Sequence, residues 1–157
     1  MSNYTTAAAA AEKRPAAVLR LSRFAAGAAA TGLLLFACFQ ASLALGAPWA
    51  DAAWGGGRDA LPPSLRIASA FAVVFLVVAA AIVLGRAGYW GRDDGPFGVF
   101  RWGTWALVVV LILSGLANVA SSSAWERFLN GPVGLLLGLL CLIVAVGCRR
   151  RRLWGSP

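Results

Sequence analysis

Residues 24–46 read FAAGAAATGLLLFACFQASLALG, 23 residues without a charge. As a helix rising about 1.5 Å per residue, this run spans about 34 Å, enough to cross a hydrocarbon core of about 30 Å. Lys13, Arg14, Arg20 and Arg23 precede it, as the charged end of a signal peptide would, but the run is longer than such a peptide's apolar region. Three more uncharged runs follow: 19 residues from Ile67 to Gly85, 19 from Trp102 to Ala120 and 17 from Pro132 to Cys148. Backbone groups in lipid must bond within their own segment, so helices are expected, and the alternating pattern of a barrel strand is absent. The sequence therefore predicts an all-α, antiparallel bundle of four transmembrane helices, TM1 24–46, TM2 67–85, TM3 102–120 and TM4 132–148. The membrane domain is 24–148, with a loose helical or frayed tail at 1–23 and a basic tail at 149–157.

The composition agrees. Of the 157 residues, 60% are hydrophobic and 13% charged, against roughly a quarter charged in soluble domains. A chain of this size cannot hide so much apolar surface, so the lipid bilayer is its expected partner. The net charge is +8, but the cations flank apolar runs and form no patch for nucleic acid. With no His in the chain, imidazole ligands, triads and proton shuttles are excluded. Cys38, Cys141 and Cys148 form no CxxC motif and read as small buried hydrophobes. No metal site, cofactor or catalytic residue is assigned.

Counting Lys and Arg gives the orientation. Four lie before TM1, three between TM2 and TM3 (Arg86, Arg92, Arg101) and four after TM4 (Arg149, Arg150, Arg151, Arg152), eleven in all. The other two loops hold Arg58, Arg66 and Arg127. Positive charge stays inside, so both termini are expected in the cytoplasm of a bacterial cell, with the chain multi-pass in its inner membrane. The four terminal Arg suit anionic headgroups or a topology lock. No span contains Asp, Glu, Lys or Arg, which argues against a proton-coupled carrier.

The outer third carries the remaining polarity. Gln40, Ser69 and Asn118 fall at similar depth, and polar side chains in hydrocarbon need partners across helices. They read either as glue between helices or as the floor of an outward-facing pocket. Above them lie Asp51, Arg58, Asp59, Arg66, Glu126 and Arg127, three acids and three bases. That balance predicts mutual pairing, with an Arg66–Glu126 ion pair as a brace. Trp49, Trp54 and Trp125 sit where interfacial anchors belong. Asn130, Gly131 and Pro132 read as a turn into TM4. Gly134 and Gly138 form a GxxxG that could pack inside the bundle or between protomers.

The stretches QASLALGAPWADAAWGG from Gln40, LPPSLRIAS from Leu61 and GLANVASSSAWER from Gly115, with Pro132, resemble a group of uncharacterised small four-helix membrane proteins of bacteria, often actinobacteria. The resemblance covers roughly residues 35–148 and departs at Ala50, Ala124 and Leu129. It implies a shared fold and no reaction. Its recurring residues include Gln40, Trp49, Arg66, Ser69, Asn118, Ser121, Ser123, Glu126 and Arg127; Asp51 lies among them. The leading expectation is a non-enzymatic binding or accessory subunit with an outward-facing polar site, partnered by itself or by another membrane protein. The alternatives are a small-solute or lipid carrier working as a homo-oligomer, and a membrane enzyme using the outer-loop carboxylates Asp51 or Glu126.

Overall fold

The computed structural model describes residues 2–91 and 98–150, with side chains described for 16–91 and 98–148. The described residues contain no strand. The described residues form four α-helices: α1 (Ser2–Ala44), α2 (Pro63–Arg86), α3 (Val99–Val119) and α4 (Gly131–Arg150). A short 3₁₀ turn at Ala50–Ala52 lies between α1 and α2, and a π-helical segment at Glu126–Asn130 leads into α4. Among the described residues, four stretches are long and apolar enough to cross a membrane: Ala16–Ala44, Pro63–Arg86, Val99–Val119 and Glu126–Cys148. The side chains of Arg149, Arg150, Arg151 and Arg152, read above as a headgroup or topology device, lie outside the described residues.

Helix ends follow local chemistry. At the end of α1, Gly46 adopts φ +92°, and the N–H groups of Gly46 and Ala47 return to the carbonyls of Leu43 and Ser42. This is the Schellman closure, which favours glycine because the position is left-handed. The end of α2 repeats it, with Gly88 and Tyr89 donating to Gly85 and Leu84. The start of α2 is Pro63, with Pro62 extended before it, because a missing N–H costs nothing in the first helical turn.

Helix α1 packs most extensively on α2, and α3 on α4; the α1–α4 seam closes the bundle. Small residues let the backbones approach. Ala25, Ala26, Ala29 and Ala30 are buried on one side of α1, and Leu33, Val83 and Val144 fill the middle with no exposure. A Cβ added at Gly134 would lie 3.1 Å from Gly115 Cα, and one at Gly138 would lie 2.9 Å from Ile112 Cγ1. The GxxxG of α4 is thus used against α3 of the same chain. Large apolar side chains point outward instead: Phe71 is 73% exposed and Phe128 75%, an arrangement suited to lipid.

One expectation is corrected. Asn130–Gly131–Pro132 is not a turn that begins the last helix. The chain is already helical from Ala124, and the wider π coil over Glu126–Asn130 carries it into Pro132. Proline has no N–H to complete an α ladder, and a π insertion absorbs that gap without breaking the helix. Gly131 permits it: a Cβ there would lie 2.6 Å from Val119 Cγ2.

Candidate functional site

The polar residues gather at the end of the bundle that carries the 45–62 loop. Its centre is Glu126, buried by the π segment. Glu126 Oε1 accepts the Gly55 N–H at 2.9 Å, and its Oε2 accepts the Ser121 hydroxyl. Ser123, also buried, donates its hydroxyl to Asp51 O at 3.2 Å, and its N–H to Ser121 Oγ at 3.2 Å. Asp51 Oδ1 takes the Gly57 N–H at 2.7 Å. Asn130 Nδ2 donates to Ala52 O at 3.0 Å. One carboxylate, Glu126, and two polar side chains, Ser123 and Asn130, thus bind the backbone of one loop to the segment before α4, while Asp51 braces the loop internally.

The loop needs that support. Trp54, Gly55, Gly56 and Gly57 all have positive φ, from 57° to 87°, a left-handed run that only glycine adopts at little cost. Trp54 is the exception in the run, and its indole N–H is held by Ser69 Oγ at 3.1 Å. Gly56 is packed so closely that a Cβ would lie 3.0 Å from both Asp51 O and Ser123 Oγ.

The expected Arg66–Glu126 ion pair does not form. Arg66 Nε donates to Ala44 O at 3.0 Å, and its guanidinium lies over Gly46. A cation at the carbonyl end of α1 is stabilised by the helix dipole and satisfies a carbonyl that the helix leaves open. Arg127 likewise donates from Nε and Nη2 to Ser121 O, at 3.2 and 2.8 Å, and Arg58 to Trp54 O at 2.6 Å. These three arginines are used on backbone carbonyls rather than on the loop carboxylates.

Nor do Gln40, Ser69 and Asn118 form one layer of mutual bonds. Ser69, fully buried, serves Trp54. Gln40 and Asn118 line a cleft of about 190 Å³ inside the bundle, with Ser114 and Asn130. A second, larger cavity of about 670 Å³ lies along the α1–α4 seam, walled by Phe36, Phe39, Trp49, Trp125, Leu129 and Val133 among others. Phe36, Asn130 and Val133 line both cavities. In the larger one, Phe39 and Trp49 stack with ring planes 4° apart and centroids at 6.4 Å, and Phe36 stacks on Phe39 at 5.8 Å. Trp49, expected as an interfacial anchor, is therefore also a wall of this groove.

The sequence pointed to Trp49, Asp51, Asn118 and Gln40 but passed over Phe36, Phe39, Ser114 and the side chain of Asn130. A signal was present: Phe36, Phe39 and Gln40 are spaced to share one side of a helix. Among the described residues, no three His, Cys, Asp or Glu side chains come together as a metal site would require. No family model, curated protein or solved structure matches the chain, so a function must rest on the geometry just described.

Proposed function

We propose that this is a multi-pass protein of the bacterial cytoplasmic membrane, with both termini in the cytoplasm, that holds an apolar lipid chain in the α1–α4 groove near the outer surface. It acts there as a non-enzymatic binding or accessory subunit. The groove carries this reading: about 670 Å³ walled by stacked Phe36, Phe39 and Trp49 and by Trp125. Binding cavities for lipophilic ligands are concave and mostly apolar, with few polar groups at one end. Asp51 and Asn130 supply that polar end.

The antiparallel order belongs to the same reading and is supported by contacts that run in reverse. Gly32 meets Leu137 and Ser22 meets Gly147. The eleven-to-three split of cations supports the orientation. Membership in the group of small four-helix bacterial proteins that the motifs resemble is a further part of the proposal. Asp51 and Glu126 are bonded to loop backbone, which favours a structural use for them over acid–base chemistry.

The test is photolabelling of the full chain in nanodiscs with a phosphatidylcholine that carries a diazirine in its acyl chain. Crosslinks concentrated on Phe39, Trp49, Trp125 and Leu129 are expected. Labelling spread evenly over these and over the exposed α2 residues Phe71 and Val74 would refute a specific groove.

A further inference from the structure

The cleft inside the bundle holds an observation that the groove does not explain. Gln40 is 8% exposed, and its Oε1 is buried without a hydrogen-bond partner. A buried amide oxygen without a donor is costly, and native structures rarely leave one so. The cleft beside it is about 190 Å³. That is more than the roughly 150 Å³ of an apolar cavity known to take benzene. Most of its other walls are apolar side chains such as Phe36, Phe75 and Leu111, with Ser114, Asn118 and Asn130 the further polar ones. Phe75 and Val110 are 44% exposed on the bundle surface, so the cleft is reached sideways, between α2 and α3, the least tightly packed of the four seams around the bundle.

We infer that this cleft binds a neutral ligand with one hydroxyl on a single ring or short branched chain, the hydroxyl donating to Gln40 Oε1. The acceptor dictates a donor. The lining holds Phe and Leu side chains and no charged residue that would offset the desolvation of a charged group, so the ligand is neutral. Asn118 and Ser114, on the α3 side, can take or give a second hydrogen bond to the same hydroxyl. The ligand is a free phenol or alcohol dissolved in the membrane, or the hydroxyl-bearing part of a lipid. The inference stands apart from the α1–α4 groove, from which Phe36, Asn130 and Val133 separate it.

The experiment uses the full chain in phosphatidylcholine nanodiscs with 4-fluorophenylalanine at Phe75, read by ¹⁹F NMR. Phenol and benzene are titrated at matched membrane concentrations. Phenol is expected to saturate the Phe75 shift at about one-tenth the concentration of benzene, as one buried hydrogen bond implies. Gln40→Leu should abolish that preference, and Ala72→Leu, which fills the cleft from α2, should abolish both responses. Equal midpoints for phenol and benzene on the unaltered protein would overturn the proposal, whether or not either variant folds; a cleft filled by water alone gives that result. Mass spectrometry of lipids co-purified from native membranes separates the sources. A hydroxyl-bearing lipid kept by the unaltered protein and lost from Gln40→Leu identifies the lipid. Phenol preference with no such lipid identifies a free small molecule.

Discussion

Glu126 Oε1 accepts the N–H of Gly55 at 2.9 Å, across 71 residues of chain. The bond ties the first residue after Trp54, in a left-handed loop, to the π-helical entrance of α4. With Ser123 on Asp51 O and Asn130 on Ala52 O, it makes the 50–57 loop a fixed lid edge over the end of α4. That loop carries Trp49 at its base, so the rigidity of the groove wall depends on a carboxylate two helices away in sequence.

Removing that carboxylate should loosen the loop end first. Glu126→Ala leaves the Gly55 N–H and the Ser121 hydroxyl without the acceptor they share, a cost of about 1–2 kcal/mol because Gly55 is exposed and water can replace part of the bond. Glu126→Gln keeps one acceptor oxygen and should lose about 1 kcal/mol. Unfolding by steric trapping in bicelles measures both, and limited proteolysis should cut near Arg58 only in Glu126→Ala. An unchanged stability for Glu126→Ala would remove the tie from any account of the fold.

Two neighbouring glycines separate backbone strain from crowding. Gly57 has φ +68° and open space around an added Cβ, so Gly57→Ala should cost about 1 kcal/mol, the left-handed penalty alone. Gly56 has nearly the same φ, +66°, but its Cβ would press on Asp51 O and Ser123 Cβ, both at 3.0 Å. Gly56→Ala should cost about 1–2 kcal/mol more than Gly57→Ala, by the same unfolding measurement. Equal costs would mean that the loop yields and is not held by Ser123.

These contrasts mark what the sequence made legible. The uncharged runs gave four helices because lipid leaves the backbone no alternative, and depth counting put Gln40, Asn118 and Ser69 near one end. Partner choice was not legible. A carboxylate at 126 and a guanidinium at 66 look like an ion pair when only charge is read. In the structure a helix C-terminus captures Arg66 through Ala44 O, and a glycine N–H captures Glu126. Both partners are backbone groups, and backbone groups leave no mark in a sequence. The π segment was hidden too, since Asn-Gly-Pro spells a turn wherever a neighbouring helix does not hold it straight, as Val119 does here at Gly131.

The α3–α4 seam should be the least tolerant of added methyl groups. At Gly115 a Cβ would sit 2.8 Å from the Leu135 backbone N, and at Gly134 it would sit 3.1 Å from Gly115 Cα. Backbone atoms cannot rotate away, so Gly115→Ala and Gly134→Ala should each lose about 1–3 kcal/mol. Gly27→Ala is the control. Its Cβ meets only Tyr89 Oη, at 3.9 Å, and alanine is the better helix former by up to about 1 kcal/mol. Stability should stay level or rise there. If Gly134→Ala instead leaves the chain's own stability unchanged and alters only self-association, the seam is an interface between copies.

Orientation has a direct test, because the cations divide so unevenly along the chain. Eleven Lys and Arg flank one end of the four spans and three the other, and each resists translocation from the cytoplasm. In a variant lacking Cys38, Cys141 and Cys148, a membrane-impermeant maleimide should label Asp59→Cys in intact cells, because Asp59 is exposed on the 45–62 loop, which the cation count assigns to the outside. A fluorescent protein that matures only in the cytoplasm, fused after Pro157, should glow, and alkaline phosphatase fused at the same point should be inactive. Labelling of Asp59→Cys only after lysis, with an active phosphatase, would invert the bundle. The Gln40 cleft and the Trp49 groove would then lie in the cytoplasmic leaflet, and their ligands would have to be sought there.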